Sequence, residues 1–320
     1  MDQIRRTVRD QLPTGAHHTR LVLSGGVVSP TDRVDFTQLS LDEIRAAVEE
    51  AEAASRYVAG HAYTARAINR ALRLGVRSIE HGNLLDETSI ELFKQHKAFY
   101  VPTLVTYRTL AAEGPQHGLP TDSHRKVSHV LEHGLRDLEL VYRRGGEIVF
   151  GTDLLGGMHV HRAEEFTVRA EVQPPIDIIR SATCVAARLV GLEGLIGEIT
   201  PGAHADLLMV EGDPLQNVTV LARPDKHLRL AMKAGQVMYL SALALLVVCR
   251  ASGSRSGRST PEPPQQSAAR RTRPFHFTDV PLTGFFMRVR FQQSVWQRSC
   301  GSCSCTRAWP SPSSAEGRRA

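Results

Sequence analysis

Two histidines twenty positions apart constrain this chain more than any other feature. "YVAGH" at 57–61 and "VRSIEH" at 76–81 are short apolar runs, and each closes on a His. Between them, Thr64 to Leu74 carries Ala65, Ile68, Ala71 and Leu72 at helical spacing, with Arg66, Arg70 and Arg73 elsewhere. Gly75 is a natural helix stop. Strand, helix and strand in this order build a parallel sheet. Neighbouring parallel strands lie roughly 4.8 Å apart. The spacing therefore predicts that His61 and His81 emerge side by side at the C-terminal ends of adjacent strands. In a β/α barrel that rim carries the chemistry. Two imidazoles so placed can share one metal ion, with Zn–N distances of about 2.0–2.1 Å. Each can equally be a hydrogen-bonded structural residue, and the two histidines alone leave both readings open.

The alternation continues on both sides. "LVLSGG" at 21–26 reads as a strand before a Gly pair. Ser40 and Glu43 have capping-box spacing before a helix at about 41–55. A helix near 86–96, the strand "AFYVPTL" and a long His-containing helix at about 121–145 follow. "EIVFGTD" is a strand that ends on Asp153, and "PPIDIIRSATCVAARLVGL" is a helix with Pro at its start. Strands are expected at about 20–24, 57–61, 77–81, 98–103 and 147–152. Five strands are too few to close a (β/α)8 barrel. From 201 the pattern turns to short strands with Gly-Asp-Pro and Ala-Gly turns, a small β segment that needs partner strands.

Charge separates a body from a tail. The net charge of +6 is uneven. Residues 241–320 hold twelve Arg, no Lys and three acidic residues, whereas the first 240 residues carry 27 basic and 30 acidic groups. Of the five cysteines only Cys184 lies in the body; Cys249, Cys300, Cys303 and Cys305 lie in the tail and read as incidental. A body with one Cys is no disulfide scaffold and fits a reducing compartment, the cytoplasm. The N-terminus lacks an apolar signal core and reads as an amphipathic helix. The longest apolar run, 237–249, is short of the roughly twenty residues that span a bilayer. The tail's Arg, Ser and Pro content reads as disordered. Such a segment can bind nucleic acid nonspecifically, but the weakly acidic body argues against that partner.

The stretch 57–83, "SGGVVSPTD", "VPTLVTY", "GTDLLGGMHVHR" and the pair "GAHADLLMVEGDPL" and "LAMKAGQV" resemble the metal-dependent amidohydrolase superfamily. The likeness is to its imidazolonepropionase-like group, which includes dipeptidases cleaving Xaa-Pro. It covers roughly residues 1 to 240. The resemblance implies a hydrolase of amide or peptide C–N bonds acting on a dipeptide or other small molecule. It implies a partial TIM barrel, strands four to eight, over 1–198. It also implies a remnant of the composite β-sandwich over 199–240, ahead of the tail at 241–320. In such enzymes a divalent metal pair, typically zinc, is held by a His-x-His, a carboxylated Lys, two His and an Asp. His61 matches the fifth-strand ligand, His81 the sixth and Asp153 the eighth. Asp153 is also the proton acceptor for the attacking water. Tyr107, His159 and His161 fall where loops reach the substrate.

This sequence departs from that pattern in two ways. No strand precedes the fourth-strand equivalent, so the His-x-His is expected outside the chain. Arg20 stands at the position of the bridging Lys. A guanidinium stays cationic and has no lone pair to offer. Two His and one carboxylate remain, a permissible catalytic zinc set for one ion at most. His17 and His18, before the first strand, read as exposed loop or helix-end residues. A catalytically inactive fragment is the alternative reading, and nucleic-acid binding through the tail a second.

Overall fold

The computed structural model describes residues 2–29 and 31–242, and the backbone of 284–287. Its first layer is a five-stranded parallel sheet in chain order: β1 (His18–Val22), β2 (Tyr57–Thr64), β3 (Ser78–Leu84), β4 (Phe99–Val101) and β5 (Glu147–Ile148). Helices fill the connections. They are α1 (Asp2–Gln11), α2 (Leu41–Ala53), α3 (Ala65–Arg73), α4 (Glu87–Gln95), α5 (Leu104–Glu113), α6 (Thr121–Arg143), α7 (Glu165–Arg169), α8 (Pro175–Ala182) and α9 (Cys184–Leu189). All four strand pairs are parallel, as expected when every connection is helical.

The local signals act as chemistry dictates. Ser40 caps α2 and Glu43 reaches back, completing the capping box. Asp86 and Ser89 do the same for α4. Gly75 takes φ 90 after α3. The apolar stripe Ile68, Ala71 and Leu72 is fully buried against the sheet, in a core with Ile79 and Ile90. α1 is tied to α2 by Arg5 and Arg9, whose guanidinium groups meet Glu50 at 2.9 and 2.5 Å.

Several boundaries move. β2 runs three residues past His61, and β3 runs past His81, so neither histidine ends its strand. β5 is shorter than expected: the Val149 amide still donates to the Tyr100 carbonyl, but Phe150 donates to Ser181 instead. The helix from Pro175 breaks at Thr183, at φ −124 and ψ −94, where the hydroxyl donates to the Ile179 carbonyl. His18 is not a loop residue. It opens β1 half-buried and stacks on Tyr57 at 5.1 Å, whereas His17 is exposed outside the strand.

The second layer is a four-stranded antiparallel sheet ordered β8-β7-β6-β9, from β6 (Leu207–Glu211), β7 (Leu228–Lys233), β8 (Gln236–Leu240) and β9 (Gly284–Met287). β9 comes from the stretch read as a disordered tail, and it covers the edge of β6. That expectation is corrected for these four residues; the tail's cysteines and the rest of its Arg-rich run lie outside the described residues. Among the described residues no helix is long and apolar enough to cross a membrane.

Candidate active site

His61, His81 and Asp153 come together, and not through simple strand alternation. Parallel register sets His61 opposite Glu80 and His81 opposite Ala62. Period-two alternation would then send the two imidazoles to opposite faces. The backbone intervenes. The β2–β3 register shifts between Ala62 and Thr64, and His81 takes φ 76, in the left-handed region. The two rings meet edge to face, with centroids 4.5 Å apart. Asp153 is also left-handed, at φ 46. Such conformations cost about 1–3 kcal/mol each and cluster at functional sites. Gly82 follows at φ 61, where a Cβ would lie 2.6 Å from the Tyr100 ring.

His81 is held at one end, where Thr103 Oγ1 lies 2.7 Å from Nδ1. The Nε2 atoms of both rings are buried without a hydrogen-bond partner. His81 Nε2 lies 3.6 Å from Asp153 Oδ2. Two donors about 2.0–2.1 Å from one tetrahedral ion sit roughly 3.3–3.4 Å apart. The donor set therefore fits one divalent cation in its chemistry and nearly in its spacing. It is looser as a trio: His61, His81 and Asp153 do not all draw within 4.8 Å, a spacing that among the described residues belongs to His129, Glu132 and His133 on α6.

Arg20 brings a charge into this site. It shares a strand face with His61 and Glu80, and its Nε donates to Glu80 Oε2 at 2.6 Å. Burial alone would lower the Arg20 pKa, but Glu80 and then Asp153 more than offset it. The residue is therefore a fixed cation inside the site. Burial pushes His61 down to about 3, and Arg20 pushes the same way. His81 is held well below its ordinary value by burial, His61 and Arg20. Both rings are neutral at pH 7, the form that offers a lone pair. Burial raises Asp153 to about 6; Arg20 opposes that shift and Glu80 adds to it. No lone pair of Arg20 is available to bridge a second ion, so the bridging position does not fit the metal pair.

The remaining expected residues are spread out. Tyr107 lies on α5, only 1 % exposed, and its hydroxyl donates to that of Tyr63 at 3.1 Å. Tyr63 stacks on His81 at 5.1 Å, so both tyrosines wall the imidazole. His159 and His161 ride on the 3-10 turn Gly156–Glu164. His159 is exposed, and His161 is clamped between Glu113 at 2.9 Å and Glu164 at 2.8 Å. Sequence reasoning missed Glu80, Tyr63 and Thr103. Period-two alternation from His61 points at Tyr63, and strand pairing points at Glu80. Nothing local to Thr103 marks it as the partner of a residue twenty-two positions earlier.

The model of the amidohydrolase family matches residues 2–238. The chain belongs to the amidohydrolase family. It is 31% identical over 225 residues to an ochratoxinase of Aspergillus niger, covering 70% of this chain and 47% of that protein. It is 46% identical to a prolidase crystallised with N-methylphosphonate-L-proline, with a TM-score of 0.73 over 74% of this chain and 58% of that one. A Xaa-Pro dipeptidase with bound methionine is 29% identical, with a TM-score of 0.68 over 74% and 58% of the two chains. The chain spans about half the length of the curated relatives it matches.

Proposed function

We propose that this chain carries the second half of an amidohydrolase barrel, strands four to eight, and a metal-assisted site for hydrolysing an amide bond of a dipeptide or similar small molecule. The observation that carries the reading is the pair of buried, unpartnered Nε2 atoms beside a carboxylate on left-handed backbone. His61, His81 and Asp153 would hold one divalent ion. When bound, such an ion polarises a carbonyl and lowers the pKa of water toward about 7.

The chain's own residues do the rest. The contact between His81 Nδ1 and the Thr103 hydroxyl orients the ring so that Nε2 faces inward. The Thr106 hydroxyl donates to the Asp153 carbonyl at 2.9 Å and holds that residue in place. Asp153 takes the proton of the attacking water and passes it to the leaving amine. Tyr63 and Tyr107 exclude water behind His81. By the resemblance, His159 and His161 on the turn Gly156–Glu164 would contact the substrate.

A second reading is a site that binds without turning over. The Arg20–Glu80 pair favours it, because the fixed cation opposes a dication. Both readings are tested on the EDTA-stripped full chain, reloaded with Zn2+ and assayed with Xaa-Pro dipeptides. Metal-dependent cleavage that Asp153→Asn abolishes, and that N-methylphosphonate-L-proline inhibits, establishes the hydrolase. Zinc held by His61 and His81 with no turnover establishes the second reading. No zinc lost on His61→Ala refutes both.

A further inference from the structure

α6 carries a second set of ligand-type side chains, distinct from the barrel site. We propose that His129, Glu132 and His133 form a surface site for a late first-row divalent cation such as Ni2+, Cu2+ or Zn2+. Positions i, i+3 and i+4 lie on one helical face. Their ligand atoms all fall within 4.8 Å of one another, and the two imidazole rings are 4.8 Å apart.

Three features make this a built site. The first is the tautomer. His133 Nδ1 lies 2.9 Å from the His129 carbonyl, which only accepts. Nδ1 therefore carries the proton, and Nε2 presents its lone pair outward, as in histidines held by an outer-shell carbonyl. The second is rigidity. The other face of α6 is buried through Val127, Val130 and Leu138, and the Val130 carbonyl accepts from Asn83 at 3.2 Å. The third is charge. Glu132 makes no ion pair among the described residues. The cations one turn away are engaged, Arg125 with Asp122 at 2.8 Å and Arg136 with Asp137 at 3.5 Å. His129 and Glu132 are exposed, so water completes the shell. Two imidazoles and one carboxylate select zinc, nickel or copper over magnesium and calcium, which take oxygen ligands. This ion is not the ion of the barrel site, so total metal content overstates the occupancy of the active site.

The test is calorimetric titration of untagged, EDTA-stripped full-length chain with Ni2+. The wild type should bind one more ion per chain than His129→Ala, whatever the barrel site holds. Losing an outer-shell group already costs 10–100-fold in metal affinity, so losing a direct ligand should weaken this ion by at least about tenfold. Glu132→Gln should weaken it less, and Asp153→Asn should leave it in place. In a 13C-histidine-labelled chain, Cu2+ should broaden two ring signals that vanish in the spectra of His129→Ala and His133→Ala respectively. Equal stoichiometry and affinity in wild type and His129→Ala, with both folded by circular dichroism, would overturn the proposal.

Discussion

Asp153→Asn should stabilise the metal-free chain at pH 8. The carboxyl ordinarily titrates at 3.8, and burial lifts it to about 6 in the folded state. A raised carboxylate binds more protons folded than unfolded, so its contribution falls as pH rises through that window and is fully lost above about 6. Each pKa unit is worth about 1.4 kcal/mol, which puts the loss near 3 kcal/mol. The side chain is 23% exposed, so solvent screening trims that to about 2 kcal/mol. Asn is uncharged, nearly isosteric, and tolerates the φ of 46 that Asp153 adopts. Its backbone carbonyl keeps the Thr106 hydrogen bond. The lowered His61 pKa acts in the opposite direction, between 6.5 and about 3, but is common to both proteins and largely cancels in the difference. The assay is urea denaturation by far-UV circular dichroism in EDTA at pH 4 and pH 8. The mutant's advantage should be small at pH 4 and about 2 kcal/mol at pH 8. With Zn2+ present the order should invert, because only the wild type keeps its carboxylate ligand. A mutant no more stable at pH 8 than at pH 4, relative to wild type in EDTA, refutes the burial of an ionised Asp153.

Two further substitutions test the frame of the site. Gly82→Ala should destabilise the chain by about 2–4 kcal/mol, measured by thermal melts, because the added Cβ meets the Tyr100 ring at 2.6 Å and the backbone sits at φ 61. Thr103→Val should leave the fold intact but reduce Zn2+ affinity about 10–100-fold, measured by competition with a chromogenic chelator, because His81 loses the hydrogen bond that orients its ring.

The parallel sheet was legible because its signals are local. Apolar runs, capping residues and Gly75 each act within a few positions of themselves, and all five strands form where they fall. The pairing of His61 with His81 was legible in outcome but not in cause. Strand alternation alone separates the two rings, and the register shift after Ala62 and the left-handed turn at His81 reunite them. Arg20 was legible as a cation but not as half of a pair, since Glu80 lies sixty residues away and meets it only across β2. β9 was illegible for a related reason: a four-residue strand inside an Arg-rich stretch earns its place from the edge of β6, not from its own pattern.

The Arg20–Glu80 pair also sets a charge capacity for the site. With Asp153 ionised, the three side chains together carry one negative charge, and the two neutral imidazoles add none. A first dication swings the site to one positive charge, a balance that a single bound anion restores. A second dication would raise it to three positive charges in a space largely screened from water, where like charges about 4 Å apart repel by several kcal/mol. An anionic substrate group such as a carboxylate would then do double duty, orienting the substrate and completing electroneutrality. Where Arg20 stands, the chain supplies in protein the charge that a metal pair would otherwise bring.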